Sequence, residues 1–381
     1  MTTDATPNVP PTPPAGPPPG APLPPYPGTP HPGMPPYAVP RPPSRVGCIV
    51  AVAVALLIGC LLFGGMVMLT GVIGSSLQGR QTALVEQPLD SNFTVTDKIL
   101  RIQVHGAIMG EGGSGLPFAS GAIGAPSIHK YLENARQDPS VKGILLDVDS
   151  PGGSVTECEY IVHEFETFRA DLKKIGRTVP VVALFGDMAA SGGYYISAKA
   201  DWIIAGRTTT TGSIGVIMSF LNFAGLAKEH GVTEVVIKSG KMKNLLSRFQ
   251  PPGPEESAVL EALVKEMHGR FLEVISEGRL GKGGLTREKL EELADGRVYS
   301  ATQAKDLGLV DSIGFVEDAI AKLKELAAIP DARLVEYKKV GGLADLFQSS
   351  ALFAPPRSAV DDVERAIRLE APRMMYLWNG R

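Results

Sequence analysis

Gly143-Ile-Leu-Leu-Asp-Val-Asp149 runs directly into Ser150-Pro151-Gly152-Gly153. The first seven residues read as a buried β-strand, a short and almost unbroken apolar run bounded by turn residues. The Pro-Gly-Gly that follows ends the strand and admits backbone angles closed to other residues. Outward from this stretch the pattern alternates. Ile99-Leu-Arg-Ile-Gln-Val-His105 is a strand pattern, and residues 127–136 form a short helix with Ser127 as N-cap. Downstream, residues 156–172 are helical, 179–185 form a strand, and 194–199 belong to a helix. Residues 202–204 and 233–238 read as further strands, and 255–277 as a long amphipathic helix. This alternation predicts an α/β domain with a mostly parallel sheet.

In such sheets chemistry gathers where strands end and helices begin. Two junctions carry suitable residues. At Asp149-Ser-Pro-Gly-Gly153 the glycines let backbone amides face a ligand closely, which suits them to stabilise an oxyanion. An ordinary strand-to-helix turn is the plain alternative. At Met188-Ala-Ala-Ser191-Gly-Gly-Tyr-Tyr195 a serine opens a helix among small neighbours that leave its hydroxyl approachable. The helix start favours negative charge developing there. The plain alternative is that Ser191 merely caps the helix.

A nucleophilic serine needs a base. The usual imidazole has no catalytic context here. His129, His163, His230 and His268 stand in charged helical surroundings that read as surface, and His105 ends a strand. Lysine is the other option. Lys238, Lys241 and Lys243 cluster in Ile237-Lys-Ser-Gly-Lys-Met-Lys-Asn244. A lysine acting near neutral pH must drop about 3 units from its reference value, at a cost of about 4 kcal/mol, through burial or neighbouring positive charge. Spacing alone leaves the choice among the three open. No clustered Cys, His and carboxylate set marks a metal site. Gly110-Glu-Gly-Gly-Ser-Gly115 fits a dinucleotide glycine pattern but runs into Leu116-Pro117, where such a site needs a helix, so no cofactor is expected.

Four blocks, in this order, resemble the bacterial signal peptide peptidase A family: Asp149-Ser-Pro-Gly-Gly153, Ala190-Ser-Gly-Gly-Tyr-Tyr195, Thr211-Gly-Ser-Ile-Gly-Val216 and Ile237-Lys-Ser-Gly-Lys-Met-Lys243. A fifth, Asp295-Gly-Arg-Val-Tyr299 followed by Ala304 and Gly308-Leu-Val-Asp311, is similar to the family's C-terminal signature. The resemblance implies a ClpP/crotonase-like fold and a Ser–Lys dyad of the short, single-domain type. On the matching positions it makes Ser191 the nucleophile and Lys243 the general base. Gly153 and Gly192 would supply oxyanion amides, and Ser213 would hold the lysine amine. Asn244 and Leu245-Leu-Ser-Arg-Phe-Gln-Pro-Pro252 depart from the commoner sequence after the lysine. The resemblance also implies a ring- or dome-shaped homo-oligomer; in short members serine and lysine can come from adjacent protomers, and the sequence leaves open whether the dyad lies within or between protomers.

Composition divides the 381 residues further. Residues 1–44 hold 19 of the 32 prolines, with Asp4 and Arg41 as the sole charges, so residues 1–45 are expected to form a disordered cytoplasmic tail. Residues 46–74 carry no charge over 29 positions, long enough for a transmembrane helix, which needs about 20 apolar residues. A signal peptide begins closer to the N-terminus and has a shorter apolar core. Arg41 and Arg45 precede the run and the next charge is Arg80, so the positive-inside bias puts residues 75–381 outside the cytoplasm. Residues 75–95 read as a connector, 96–330 as the peptidase domain and 331–381 as a C-terminal extension. Net charge is −3, which implies no nucleic-acid partner. Cys48, Cys60 and Cys158 suggest no disulfide framework.

The expected function is a serine endopeptidase of the bacterial inner membrane. It would act on peptides or membrane-associated protein segments, remnant signal peptides among them. Two alternatives come from other classes: a catalytically idle membrane scaffold on the same fold, and an acyl-CoA enzyme of the crotonase type. The intact Ser191 and Lys243 count against the first, and the anchor together with that pair against the second.

Overall fold

The computed structural model describes residues 54, 58, 59, 84–90, 94–110, 123–339 and 374–377. The chain divides into a unit ending at Ser75 and one from Ser76 to Arg381, and every element below belongs to the second. In chain order these are β1 (Leu84–Pro88), β2 (Lys98–His105), α1 (Ala125–Gln137), β3 (Val141–Ser150), β4 (Gly152–Ser154), α2 (Val155–Lys174) and β5 (Val181–Ala190). Then come α3 (Gly192–Ser197), β6 (Trp202–Ala205), β7 (Thr210–Gly212), β8 (Ile217–Met218), α4 (Ala224–Glu229), a 3-10 turn (Lys241–Asn244) and α5 (Pro254–Arg279). A second 3-10 turn (Lys282–Gly284), α6 (Arg287–Leu293), β9 (Val298–Ser300), α7 (Ala301–Asp306), β10 (Ser312–Ile313), α8 (Val316–Ala327), β11 (Arg333–Lys339) and β12 (Met374–Leu377) complete the series.

Among the described residues nine strands make one sheet, in the order β1-β11-β2-β3-β5-β6-β10, with β7 and β9 continuing from the end of β5. From β11 to β10 every neighbouring pair is parallel; β1 against β11 and β9 against β7 are antiparallel. This is the mixed α/β architecture with a mostly parallel sheet that the alternation predicts. The sheet draws β1 and β11 from either side of residues 96–330.

The apolar run of β3 lies at the sheet's centre and both its faces are covered. Ile144, Leu146 and Val148 join Ile128 and Leu132 of α1 and Ile161, Val162 and Phe165 of α2 in one cluster. Leu145 points the other way, into a second cluster with Ala319 and Leu323 of α8. Each such side chain stabilises the fold by ~1.5–3 kcal/mol on burial, so the β3–β5 centre is where the sheet is most firmly held. The motif Gly308-Leu-Val-Asp311 has a structural use here. Asp311 pairs at 2.7 Å with Arg279, which is wholly buried, and accepts the Ile203 amide at 2.7 Å. Removing either partner would leave the other charge buried alone, a loss of ~3–5 kcal/mol.

One expected strand is absent. Residues 233–238 are irregular, and Val235 and Ile237 are 83% and 99% exposed. Their β-branched alternation has the strand pattern, but none of the described strands lies alongside to accept the hydrogen bonds that a strand requires. Among the described residues no helix is long and apolar enough to cross a membrane. The expected transmembrane helix at 46–74 falls almost wholly outside the described residues, as does the proline-rich tail.

Candidate active site

The registers of the central strands converge on one point. Ser150 of β3 stands opposite Ala189 of β5, and Ala190 of β5 opposite Gly212 of β7. Ser191 and Ser213 are the next residues on two neighbouring strands. Both adopt positive φ, 52° and 50°, a conformation that costs a non-glycine residue about 1–3 kcal/mol. The sheet imposes it: the Ser191 amide donates to the Gly212 carbonyl at 2.8 Å, and the Ser213 amide to the Arg297 carbonyl at 2.7 Å. β9, which lies beside β7, pairs Val298 with Gly212. The Asp295–Tyr299 block therefore buttresses the Thr211–Val216 block.

Ser191 is 1% exposed and precedes α3, yet its side chain makes no capping bond to that helix. The plain reading of this residue as an N-cap therefore lacks the bond that defines one. α3 itself is buried throughout. The Tyr194 hydroxyl donates to the Leu309 carbonyl at 2.8 Å, and Ser197 to the Gly193 carbonyl at 2.8 Å. The Tyr195 hydroxyl donates to Glu159 of α2, and Arg270 of α5 binds the same carboxylate at 3.0 Å. Burial raises the Glu159 carboxyl, but the Tyr195 hydroxyl and Arg270 guanidinium outweigh it and hold the carboxyl below its ordinary value. Sequence reasoning missed this clamp, because no spacing rule links positions 159, 195 and 270.

Gly153 and Gly192 come together. A methyl group on Gly153 would lie 1.9 Å from the Ile108 carbonyl oxygen. One on Gly192 would meet Cys158 Sγ at 2.7 Å and the Gly153 nitrogen at 3.0 Å. Only glycine fits at either place, and the fit sets the Gly153 amide beside the residue that follows Ser191. Ser150 Oγ accepts the Gly152 amide at 3.1 Å and shapes the turn. Cys158 beneath it is buried, and burial pushes its thiol far above the ordinary range, so it is an inert packing group. Beyond Ser213 opens a groove of about 700 Å³, lined by Val216, Met218, Leu260, Val264, His268 and Gly296 among others. His268 is half-buried, and its Nε2 has no hydrogen-bond partner among the described residues. It belongs to this groove and not to the open surface its charged neighbours suggested.

Lys243 lies elsewhere in character. It sits in the exposed 3-10 turn Lys241–Asn244, and among the described residues no hydrogen bond or ion pair joins its amine to Ser191 or Ser213. Its neighbours are engaged: Lys241 pairs with Glu255, and the Lys238 amine donates to the Lys241 carbonyl at 2.9 Å.

Residues 173–330, a stretch that includes Ser191, Ser213 and Lys243, match the model of peptidase family S49. A protein of Enterococcus faecium named as a candidate signal peptide peptidase SppA is 41% identical over 78% of this chain and 85% of its own length. The chain belongs to peptidase family S49. Membership makes it a serine peptidase of the signal peptide peptidase A kind. Protease 4 of Haemophilus influenzae is 37% identical over 62% of this chain, which spans 36% of that longer relative. Among solved structures, a mutant of a membrane-bound stomatin-specific protease aligns with a TM-score of 0.36 at 14% identity, over 60% of this chain and 85% of that one.

Proposed function

We propose that this S49 peptidase is a membrane-anchored endopeptidase that cleaves peptides or membrane-associated protein segments with a Ser191–Lys243 dyad. One observation carries the reading. Ser191 is buried, strained and free of any capping bond, at a point where Gly153 and Gly192 close on each other. Its hydroxyl attacks the scissile carbonyl, and Lys243 takes the proton and returns it to the leaving amine. The amides of Gly153 and Gly192 bind the developing oxyanion. Water then hydrolyses the acyl-enzyme. Ser213, beside Ser191 in register, orients the lysine amine.

Because Lys243 is exposed and unbonded to Ser191 within one chain, the dyad is assembled between protomers, and burial against the second copy makes a lysine neutral enough to act. The exposed Val235 and Ile237, a few positions before Lys243 in the sequence, are suited to that contact. Ser191→Ala and Lys243→Met are each expected to lower peptidase activity by at least about 10³-fold. Co-assembled, the two variants should regain part of it, since mixing places intact serines beside intact lysines. Activity against mixing ratio, with differential tags proving mixed assembly, measures this; a flat profile would sink the shared dyad. Residues 46–74 anchor the enzyme, with the peptidase domain on the far side of the cytoplasmic membrane. Protease added to intact spheroplasts should therefore reach that domain, and protection until lysis would reverse the topology.

A further inference from the structure

α5 is anchored at one end. Its buried side chains are Phe271, Leu272, Val274, Ile275 and Arg279, all in the last third of the helix. The stretch before them, 254–270, runs for about 25 Å and buries no side chain. Leu260, Val264 and His268 of this stretch form one wall of the groove whose other wall carries Ser213, Val216 and Met218. Ser213 stands beside Ser191 in the register of β5 and β7, so a substrate residue flanking the scissile bond has this groove next to it.

Two contacts aim the projecting stretch. A methyl group on Gly278 would lie 2.1 Å from the carbonyl oxygen of Ala198, the residue that closes α3, so the backbone of α5 rests directly on that helix end. Two turns earlier Phe271 packs edge-on against Tyr195 of α3, with ring centroids 5.0 Å apart. There Arg270 donates to Glu159 of α2 at 3.0 and 3.3 Å, and the Tyr195 hydroxyl donates to the same carboxylate. One carboxylate thus joins α2, α3 and α5 through charge-assisted bonds. Arg270 lies about 12 Å along the helix from Gly278, and Leu260 about 27 Å. A tilt about Gly278 that moves Arg270 by about 0.5 Å therefore moves Leu260 by about 1.1 Å. A displacement of that size separates a fitted groove from a loose one.

We propose that Glu159 is a positioning residue for the substrate groove: by binding Tyr195 and Arg270 together it fixes the tilt of α5, and with it the distance of Leu260, Val264 and His268 from Ser213, Val216 and Met218. The proposal rests on reading Ser191 as the nucleophile beside that groove. Glu159 touches neither substrate nor reacting atoms. It acts through α5, on the binding of substrate and not on the chemical step, so its loss raises KM and leaves kcat within about twofold.

The experiment uses the full chain in detergent and an internally quenched, unstructured peptide with leucine on the acyl side of the scissile bond. Glu159→Ala and Arg270→Gln are each expected to raise KM about tenfold. The double variant should be within about twofold of either single one, because both act through one contact. Glu159→Gln keeps an acceptor for Tyr195 and should recover part of the loss, to a KM raised about threefold. Unchanged KM in Glu159→Ala and Arg270→Gln overturns the proposal, as does a loss of kcat at unchanged KM. Multiplied effects in the double variant overturn the single contact. If KM and kcat change together, or a variant melts early, binding decides. The labelled peptide is titrated by anisotropy onto chains carrying Ser191→Ala, with and without Glu159→Gln. A Kd raised at least about threefold supports the clamp, and an equal Kd overturns it. Should Ser191→Ala still hydrolyse the peptide, the catalytic assignment falls, while the Kd comparison still decides the role of Glu159.

Discussion

The end of β5 and the segment from Ile217 to Phe249 carry the two halves of the proposed dyad, and they are built in opposite ways. Around Ser191 the chain buries everything: Gly192, Gly193, Tyr194 and Tyr195 are enclosed, the Ser191 amide is tied to the Gly212 carbonyl at the end of β7, and the two tyrosine hydroxyls donate to the Leu309 carbonyl and to Glu159 of α2. Around Lys243 it buries almost nothing. Leu221, Leu226, Val232, Val235, Ile237 and Phe249 are all exposed, and between α4 and the 3-10 turn the backbone has no regular structure. Exposed apolar residues that gather into a patch mark an interaction surface. On the proposed reading, one half of the site is finished by the chain's own core and the other is completed by a surface from outside it.

The largest test of that contrast is on the buried side. Gly153→Ala would put a methyl group 1.9 Å from the Ile108 carbonyl oxygen and 2.6 Å from its carbon, both backbone atoms that cannot rotate away. The expected cost exceeds ~3 kcal/mol, a fall of roughly 10 °C or more in melting temperature, or no folded protein. A thermal melt measures it. A variant melting within about 2 °C of wild type would mean that the β4 turn is not held as closely as the serine half requires.

The same contrast decides how much was legible in the sequence. The unbroken apolar run at 143–149 identified a central strand because no exposed face interrupts it, and the core bears this out. The Pro-Gly-Gly turn and Ser191 could be placed at strand ends because local residue types govern such junctions. Long-range packing was not legible. No period links Glu159 to Tyr195 and Arg270, or Arg279 to Asp311. The half-burial of His268 also depends on what packs opposite it. Residues 233–238 failed in the reverse direction. Their alternation is a true strand signal, but a strand also needs a neighbouring edge, and sequence pattern contains no information about whether one is present. The pairing of β12 with β4 joins positions more than 200 residues apart, that with β8 positions more than 150 apart, and neither could have been read locally.

The smallest expected effect on stability belongs to the exposed side, and it is the more discriminating measurement. Val235→Asp and Ile237→Asp replace side chains that already face water, so a single chain should lose no more than about 0.5 kcal/mol. If these residues meet a second copy, the same substitutions bury two carboxylates in an apolar contact. The complex then weakens by several kcal/mol for each charge it cannot pair. The expected outcome is an unchanged melting curve for the lone chain, a shift to single-chain mass in sedimentation, and peptidase activity reduced at least about tenfold at a fixed protein concentration. Raising that concentration should restore part of the activity, as mass action requires. A doubly substituted protein that assembles and cleaves like wild type would remove Val235 and Ile237 from the contact. A lowered melting temperature in the lone chain would put their side chains in its own core, and the asymmetry between the two halves would then disappear.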